Sequence, residues 1–582
     1  MDRPQVILTT EGTYPFHHGG VSTWCDALIH QLPEVDFIIM AVAMNPYLSL
    51  QFDIPANVKQ VRAIPLWGIQ DPSEQRGNLA YSEIFLQKQR TGSHEIEELF
   101  LPHLQQFLTT LVDENRSHDL GVALARMYQF FRTYDYQTAL KSHAVWELYK
   151  TWLLNGAHQG YWDEPSIFES VQGLGWIYHF LSILNTAIPT ADMVHSSAAA
   201  FCGMVGIVSK LEFGTPYLLT EHGVYLREQY LAIGRSNMTP FSKRFLIALV
   251  KAISRANLYF ADQLVPVCAF NGRWERVLGA DGAKIRVIYN GVSSRRFYPA
   301  TMPGEAISSQ KPIQILCVAR IDPNKDLDTL LRAIHIVTSS GIAVAVRVLG
   351  SVSVESYYQT MLRLREELGL TEVVRFEGYS ADISDAYREA DITVQSSVSE
   401  AFPYAIIESM MSGTPLVATD VGGSREALAA TGILVPSRDP AKLAAGIAIL
   451  AQNPELRLRL GRAAHQRALD LFEISQAMQN FSQLYHHWQQ ELPIEDHASG
   501  RERAQLHVTR ALLLQQMNQP ALALAEYYQA LTHLTDTPAV IPILLQTANL
   551  ELRCGHSSRA YTHLLKLRLL ESLFSRNSVQ AG

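Results

Sequence analysis

Cysteine is scarce in this sequence, and its spacing argues against two kinds of site. There are five cysteines among 582 residues, and no two of them form a CxxC pair. An odd number of scattered cysteines is untypical of a disulfide framework or a zinc site, and it fits a reducing compartment. We therefore predict buried thiols at Cys25, Cys202, Cys268, Cys317 and Cys554.

An excess of positive charge is also missing. The sequence has 48 basic and 56 acidic residues, which gives a net charge of -8. A chain with this balance has no general electrostatic attraction to nucleic acid or to an anionic membrane surface. We predict that nucleic acid is not a partner and that any bound phosphate is held by a few local residues.

Long apolar runs are absent as well. No segment reaches the roughly 18 uninterrupted apolar residues that a membrane span needs. The first residues lack the basic segment and following apolar segment of a secretory signal peptide. The sequence therefore predicts a cytoplasmic protein without a membrane span.

Several catalytic signatures cannot be found. The sequence contains no GxxxxGK[ST] phosphate loop, no HExxH zinc motif, no EF-hand loop and no GxSxG nucleophile elbow. These absences argue against P-loop NTPases, metalloproteases and serine hydrolases.

What the sequence does contain is a series of apolar runs between amphipathic helical segments. The length implies two or three domains, because single hydrophobic cores stop growing at roughly 250 to 300 residues. The run Val6–Thr10 precedes a Gly-rich stretch and the helical pattern Val21–Leu32, which predicts the first strand–loop–helix unit of an α/β sheet. Further predicted strands of the first half are Phe37–Val42, Met193–His195, Tyr217–Thr220, Asn257–Val267 and Ile285–Tyr289.

A second and more regular α/β run follows. Between about residues 71 and 189, long amphipathic stretches with few strand signals predict a helical insertion in the first run. Pro299–Lys311 carries Pro, Gly and Ser and is the best linker candidate. Such runs assemble into Rossmann-like domains, in which ligands bind beyond the carboxyl ends of the strands. The predicted strands of the second run are Ile313–Val318, Val344–Leu349, Val373–Glu377, Ile392–Gln395 and Leu416–Thr419.

The residues after Pro493 are different in character. Asn518–Leu531 and Gly555–Leu567 share a pattern around Ala523 and Ala560, which resembles a pair of tetratricopeptide helical units. Two interpretations are open, a docking surface and a helical cap packed on the body of the protein.

The strongest local signal is the segment from Ser399 to Pro415, which holds two glutamates. If the chain turns into a helix at Pro403, Glu400 lies in the loop and Glu408 about one turn into the helix. A carboxylate suits the vicinal hydroxyls of a sugar because it accepts two hydrogen bonds at once. The start of the helix supplies free N–H groups for a diphosphate.

Two cations follow the first strand of the second run. Arg320 and Lys325 stand five residues apart just past Val318. Arginine offers planar bidentate donors and lysine a point charge, so together they can hold both phosphates of a departing nucleoside diphosphate.

The first run contributes weaker signals. Gly19 and Gly20 follow the first strand, where glycine lets the backbone approach a phosphate. His222 ends another strand and can meet a sugar bound in a cleft, although a single histidine is more often structural.

With these residues, the sequence resembles glycosyltransferase family 4 from about Met1 to Leu492. The resemblance implies the GT-B fold, two Rossmann-like domains that face each other across a cleft, and sugar transfer with retention of configuration. It also implies that no metal ion or other cofactor is needed. The segments that carry it are Glu11–Pro15, Gly19–Trp24, Glu221–Glu228, Tyr289–Val292 and Glu400–Glu408.

The resemblance also implies roles for single residues. Arg320 and Lys325 would hold the donor diphosphate, Glu408 the ribose, and Glu400 the hexose hydroxyls. The glycine loop would close over the phosphate. The remaining residues that the resemblance places at the catalytic or donor site are His222, Gly19, Gly20, Asn290, Phe402, Pro403 and Tyr404.

The domain organisation that follows is α/β with helical additions. We predict a first Rossmann-like domain with a helical insertion, a nucleotide-sugar domain, a helix that crosses back to the first domain, and a tetratricopeptide-like extension. Their predicted bounds are residues 1–298 with the insertion at about 71–189, then 299–475, 476–495 and 496–582.

Within the family, the sequence looks closest to transferases of Pel-type exopolysaccharide synthesis. That likeness implies a UDP-sugar donor, UDP-glucose above all, a growing polysaccharide as acceptor, and an inner-membrane synthesis complex as partner. Two alternatives are open. One is a non-catalytic sugar-nucleotide sensor or scaffold that recruits a synthase, and the other is an NDP-sugar epimerase on the same fold.

Overall fold

The computed structural model describes residues 3–68, 81–113, 115–300, 312–491, 520–532 and 540–554, with a few single positions between 508 and 564. The chain divides into two compact units, Met1–Gln489 and Gln490–Gly582. Within the described ranges, no helix combines the length and the apolar character that crossing a membrane requires. All five cysteines are free thiols, and four of them are buried.

The first half of the larger unit contains a six-stranded parallel sheet. In chain order its strands are β1 (Gln5–Glu11), β2 (Asp36–Ala43), β3 (Val58–Pro65), β4 (Met193–Ser196), β5 (Tyr217–Leu219) and β6 (Gln263–Leu264). They lie in the order β3-β2-β1-β4-β5-β6, and every neighbouring pair is parallel. This is the strand order of a doubly wound Rossmann sheet. Strands β1 and β2 are buried along almost their whole length, because helices cover both faces of such a sheet.

Helices make up the rest of the first lobe, and the described part of the predicted insertion contains no strand. Long apolar stripes at helical spacing bury Leu124, Phe131 and Ile177 in one cluster with the sheet. The α-helices are α1 (Gly20–Gln31), α2 (Tyr81–Arg90), α3 (Ser93–Glu95), α4 (Leu101–Thr110), α5 (Ser117–Thr133), α6 (Tyr136–Leu140), α7 (His143–His158), α8 (Ile167–Leu181), α9 (Met204–Phe213), α10 (Tyr225–Arg235), α11 (Pro240–Phe260) and α12 (Ala269–Val277).

Two strand predictions of the first half were wrong. The first four residues of Asn257–Val267 are the end of helix α11, where the Asn257 amide donates to two buried carbonyls, and only Gln263–Leu264 is a strand. Ile285–Tyr289 runs beside that strand but makes a single bridge, from Ile285 to Leu264. Apolar runs alone do not distinguish a buried helix end from a strand.

The second half of the larger unit repeats the same topology. Its strands are β7 (Ile313–Val318), β8 (Val344–Leu349), β9 (Val374–Gly378), β10 (Ile392–Gln395), β11 (Leu416–Thr419) and β12 (Ile433–Val435). The order β12-β11-β10-β7-β8-β9 is again that of a doubly wound sheet, with all pairs parallel. Its helices are α13 (Leu327–Ser339), α14 (Glu355–Glu367), α15 (Ser384–Glu389), α16 (Tyr404–Met411), α17 (Ser424–Leu428), α18 (Pro440–Gln452) and α19 (Pro454–Leu471).

A last helix of this unit, α20 (Ile474–Glu491), packs on the first sheet rather than the second. Phe481 and Tyr485 on this helix belong to the same buried cluster as residues of β1 and β2. The Tyr485 hydroxyl lies 2.6 Å from Nδ1 of His195, whose Nε2 lies 2.7 Å from the Thr220 hydroxyl. The helix is thus fixed by a fully buried polar chain as well as by apolar packing.

The smaller unit contains the helices Pro520–Thr532 and Val540–Arg553, which share a small apolar cluster. The first predicted tetratricopeptide unit coincides with the first of these helices. The second predicted unit, Gly555–Leu567, lies outside the described residues except for three positions, as do residues 301–311 of the predicted linker. The repeat and the predicted domain bounds stay predictions.

We predict that Tyr485→Phe destabilises the larger unit. The change leaves a buried nitrogen of His195 without its hydrogen bond, which costs about 1–3 kcal/mol of unfolding free energy. Urea denaturation followed by tryptophan fluorescence measures the loss. Tyr161→Phe is the matched control because that ring is 46% exposed, and equal destabilisation by both changes would contradict the prediction.

Candidate active site

The candidate site lies where the strand order of the second sheet reverses. Strands β7 and β10 are neighbours, and their chains leave the sheet toward helices on opposite sides. A crevice opens at such a point beyond the carboxyl ends of the strands. Arg320 and Lys325 follow β7, and Glu400 follows β10, so the topology brings the three predicted residues to one edge.

Lys325 and Glu400 form a direct ion pair. The Lys325 ammonium lies 2.6 Å from Oε1 of Glu400, and both side chains are mostly buried. The same carboxylate oxygen accepts hydrogen bonds from Ser397 Oγ at 2.6 Å and Gln395 Nε2 at 3.0 Å. Glu400 is therefore held in one orientation by three donors.

Neighbouring loops hold the Glu400 segment in place. The Asn324 amide donates to the Ser399 carbonyl at 3.0 Å, and the Val398 N–H donates to the Asn324 carbonyl at 2.9 Å. From the other side, the N–H of Gly423 donates to Ala401 O at 2.6 Å. A Cβ at Gly422 would collide with the carbonyl oxygen of Glu400. Glycine at position 422 is thus required for this close approach.

Arg320 remains open to solvent. Its side chain is 62% exposed, and its contact with Asp322 Oδ2 is 3.7 Å long. A guanidinium in this state keeps donors free for an incoming anion.

Glu408 lies one turn into helix α16, as the sequence predicted for a helix that starts at Pro403. Its Oε2 accepts a hydrogen bond from the Tyr387 hydroxyl at 2.9 Å. Burial raises the pKa of Glu408 to about 7, against the lowering effects of the Tyr387 bond and the Arg296 charge.

The start of helix α16 contacts the first lobe through Tyr404. The Cα of Gly20 lies so close to the Tyr404 ring that a Cβ there would be 3.5 Å from it. The glycine loop and the helix start therefore meet, with both Gly19 and Gly20 exposed. Phe402 and Pro403 are different, since both are buried and Phe402 stacks on Tyr289 at 5.3 Å.

His222 follows β5 by three residues, and its described ring contacts lie within the first lobe. Its ring packs edge-on to Trp24 at 4.5 Å, and neither ring nitrogen has a hydrogen-bond partner among the described residues. Desolvation lowers the pKa of His222 to about 3, so the ring is neutral at physiological pH. Unpaired buried nitrogens of this kind suit a ligand hydroxyl.

Asn290 is not brought to the ion pair by any described contact. It is 4% exposed, and its Oδ1 has no partner in the described part of the chain. The next residue, Gly291, lies against the backbone of Ile474, where a Cβ would clash. Asn290 thus lies in the segment that leads from the first lobe to the second.

Other functional candidates had no predicted role. Glu11 accepts the Tyr225 hydroxyl at 2.8 Å and the Cys202 N–H at 3.1 Å, and burial raises its pKa. The Arg227 guanidinium donates to the Ser399 hydroxyl across the cleft, and Glu228 interacts electrostatically with Arg320 and Lys325. Arg227 and Glu228 are the last two residues of the segment Glu221–Glu228. A basic residue beside an acidic one in this segment is the sequence signal that could have identified them.

The first residue of that segment, Glu221, and Glu275 are two buried carboxyl groups whose charges interact. Glu221 is 1% exposed and Glu275 is 0% exposed. Burial raises the pKa of both carboxyl groups, that of Glu275 to about 8, and the charge of Glu275 raises that of Glu221 further. At neutral pH the pair therefore keeps a proton.

The arrangement combines two cations and a fixed carboxylate beyond the carboxyl ends of β7 and β10, with a second carboxylate, Glu408, on the helix that follows Glu400. Cations at this position can stabilise negative charge on a departing phosphate. The two carboxylates can accept hydrogen bonds from sugar hydroxyls. Among the described residues, no group of three or more histidine, cysteine, aspartate or glutamate side chains could hold a metal ion.

Two family models match the chain. Residues 4–283 match a family described as Domain of unknown function (DUF3492), and residues 302–467 match the family Glycosyl transferases group 1. The first match covers the lobe of β1 to β6, and the second covers the lobe that carries Arg320, Lys325 and Glu400.

Curated relatives share about half of the chain. A D-inositol 3-phosphate glycosyltransferase of Streptomyces avermitilis is 30% identical over 292 residues, which is 48% of this chain and 61% of the relative. The protein of the same name from Streptomyces scabiei is 33% identical over 291 residues, 48% of this chain and 64% of the relative. The chain thus spans less than two thirds of the length of these relatives.

Solved structures share the fold. Sucrose-phosphate synthase (tll1590) from Thermosynechococcus elongatus has a TM-score of 0.52 at 19% identity, covering 83% of this chain and 99% of that one. Anabaena Alr3699/HepE in complex with UDP-glucose has a TM-score of 0.50 at 14% identity, with 83% and 99% covered. The chain therefore has the GT-B fold of two Rossmann-like lobes, and its second lobe matches the model of the glycosyl transferases group 1 family.

Proposed function

We propose that the chain is a retaining glycosyltransferase that moves a hexose from a UDP-sugar to a growing exopolysaccharide. The observation that carries the proposal is the ion pair of Lys325 and Glu400, with Arg320 on the same loop as Lys325, at the strand-order reversal of the lobe that matches group 1 glycosyl transferases. Two cations and a sugar-binding carboxylate at this edge suit a nucleoside diphosphate that bears a sugar.

In the proposed reaction, the two lobes enclose the donor. The bond from the sugar C1 to the diphosphate oxygen breaks while the acceptor oxygen bonds to C1 on the same face. Arg320 and Lys325 neutralise the charge that builds on the diphosphate, which is often the largest catalytic contribution. The diphosphate oxygen takes the acceptor proton. Glu400 holds the hexose hydroxyls, and Glu408 holds the ribose.

A front-face route is preferred to a double displacement. The double displacement of retaining hydrolases needs a carboxylate nucleophile opposite the leaving group, about 5–5.5 Å from the second carboxyl group. Glu400 is the carboxylate paired with Lys325, and Ser397 and Gln395 hold it as well. Glu408 is turned toward Tyr387. Neither is placed as a free nucleophile.

UDP-glucose and a Pel-type polysaccharide are the proposed donor and acceptor. The sequence segments resemble those of the Pel-polysaccharide glycosyltransferase PelF, and a neighbour of the same fold was solved with UDP-glucose. We place the reaction in the cytoplasm beside the inner membrane, with a Pel-type synthesis complex as partner. No metal ion or other cofactor takes part in the proposed reaction.

We predict that Lys325→Ala and Arg320→Ala each lower turnover of UDP-glucose by about 100-fold or more, as removal of single oxyanion donors does. Release of UDP, measured with a coupled assay, reports both transfer and donor hydrolysis. Lys442→Ala is the matched control, because this lysine is exposed and far along the chain on helix α18.

The same assay separates the alternatives. Unchanged turnover in both variants would overturn the site assignment. Tight UDP binding by the wild type without any turnover would support the scaffold. A new sugar nucleotide formed without an acceptor would support the epimerase.

We predict that UDP-glucose raises the melting temperature more than GDP-mannose or ADP-glucose at equal concentration. A ligand that binds only the folded state stabilises it by mass action, so the shift ranks the affinities. A thermal-shift series with the three nucleotides and with UDP alone measures this. A larger shift with a guanine or adenine nucleotide would contradict the choice of donor.

We predict that UDP-glucose binds more weakly at pH 6 than at pH 8. The pKa of Glu408 is about 7, so at pH 6 most of the protein must lose a proton before this carboxylate accepts two ribose hydroxyls. The dissociation constant should rise by about tenfold between pH 8 and pH 6. Calorimetry at both values measures it, and Glu408→Gln should bind weakly but without this pH dependence. The same dependence in the variant would contradict the role.

A further inference from the structure

One carboxylate at the candidate site has no use in the proposed reaction. Glu228 lies in the first turn of helix α10, directly after the loop that carries His222. It belongs to the first lobe, whereas Arg320, Lys325 and Glu400 belong to the second. The question is which ligand it binds.

Contacts between the lobes place this turn against the Glu400 loop. The adjacent Arg227 donates a hydrogen bond to the Ser399 hydroxyl, and Ser399 directly precedes Glu400. Glu228 itself interacts with the charges of Arg227, Glu400, Arg320 and Lys325. Its carboxylate therefore faces the same crevice as the proposed donor groups, from the opposite side.

Glu228 differs from Glu400 in its hydrogen bonding. The residue reaches solvent on one side, and no hydrogen bond or ion pair joins its side chain to another residue in the part of the chain that the structure describes. Glu400 is engaged by Lys325, Ser397 and Gln395. Glu228 thus offers a carboxylate that is available to a ligand in the cleft.

The Glu228 carboxylate lies directly against the backbone of Gly223. A Cβ at Gly223 would overlap the Oε1 atom of Glu228 and crowd its other oxygen. Only glycine at this position lets the carboxylate lie where it does. Gly223 therefore helps to determine where the Glu228 carboxylate lies.

The chemistry of the group limits its ligand. An ionised carboxylate accepts hydrogen bonds and repels anions, so it does not bind the donor diphosphate, which the two cations attract. The donor hexose is assigned to Glu400. A front-face displacement brings the acceptor hydroxyl to C1 beside the leaving diphosphate, and Glu228 lies on the lobe opposite the donor lobe.

We propose that Glu228 binds hydroxyl groups of the acceptor, so that the cleft takes a neutral, hydroxyl-rich sugar and rejects one with a phosphate or carboxylate at that point. The inference rests on the proposed transfer reaction. It makes Glu228 a residue that determines acceptor specificity and positions the attacking hydroxyl.

The ionisation of Glu228 provides a second readout. Desolvation and the charge of Glu400 raise its pKa, while Arg227, Arg320 and Lys325 lower it, and the net direction is upward. On its own lobe, the ionisable groups Glu221 and Tyr225 also interact with it. Acceptor use should therefore fall on the acid side as Glu228 takes up a proton.

The test compares acceptors with UDP-glucose as donor. The neutral probes are the methyl glycosides of glucose, galactose, N-acetylglucosamine and N-acetylgalactosamine, and the anionic probes are glucose 6-phosphate and N-acetylglucosamine 6-phosphate. We expect the wild type to use a neutral probe in preference to both phosphates. Glu228→Gln should raise the acceptor KM by about 10- to 100-fold, as loss of a hydrogen bond to a charged group does. The UDP dissociation constant should change less than twofold.

Two further variants strengthen the comparison. Gly223→Ala should displace the carboxylate and reproduce the acceptor defect of Glu228→Gln, and circular dichroism checks that it folds. Glu355→Gln is the matched control, because it removes another exposed glutamate from the first turn of a helix. With UDP-glucose kept saturating at every pH, so that the titration of Glu408 does not contribute, the acid-side fall in acceptor kcat/KM should disappear in Glu228→Gln and persist in Glu355→Gln.

The outcomes distinguish this inference from the proposed function. If the wild type binds no UDP, the proposed function fails. If UDP binds but no neutral probe is used, or a phosphate is preferred, the assignment of Glu228 fails. It also fails if Glu228→Gln leaves the acceptor KM unchanged, or if it weakens UDP binding as much as acceptor use.

Discussion

The parallel direction of all strands in each sheet is the constraint on which the candidate site depends. Parallel strands end at one edge, so loops far apart in sequence leave the sheet side by side. Lys325 and Glu400 are joined in this way at 2.6 Å, because β7 and β10 are neighbours at the point where the strand order reverses. The first sheet has the same order, and Gly20, His222 and Glu228 lie in the segments that follow its strands. The same topology is thus repeated in both lobes.

The charges along this crevice are partly balanced before any ligand binds. Lys325 is neutralised by Glu400, whereas Arg320 stays 62% exposed beside a distant Asp322 contact. In the proposed reaction, the diphosphate meets the available guanidinium of Arg320 first and competes with Glu400 for the Lys325 ammonium. Because Ser397 and Gln395 also hold Glu400, this carboxylate keeps its position when the ammonium moves toward the phosphate. The polar contacts thus hold Glu400 in position, whereas the Lys325 ammonium can move.

The sequence was sufficient to predict the strands and helices that a local pattern of residues defines. Runs such as Ile313–Val318 are strands to the residue, and the turn into a helix at Pro403 follows from proline chemistry. Strand β3 was missed because it lies at a sheet edge and carries exposed residues such as Lys59. Asn257–Val267 was misread because a buried helix end is as apolar as a strand. At the site, the position after a strand indicated Arg320, Lys325 and Glu400. The contact of Arg227 with Ser399 depends on how two lobes meet, which no local pattern encodes.

The carboxyl pair of Glu221 and Glu275 couples the folding of the first lobe to proton uptake. Both groups are buried, and the pKa of Glu275 rises to about 8, while a glutamate in an unfolded chain ionises near about pH 4.3. Between these two values the unfolded chain has released a proton that the folded chain retains. The free energy of unfolding therefore declines as the solution becomes more alkaline across that interval, and levels off above it. The contribution of this pair to the stability of the first lobe is thus greatest at the acid end of that interval.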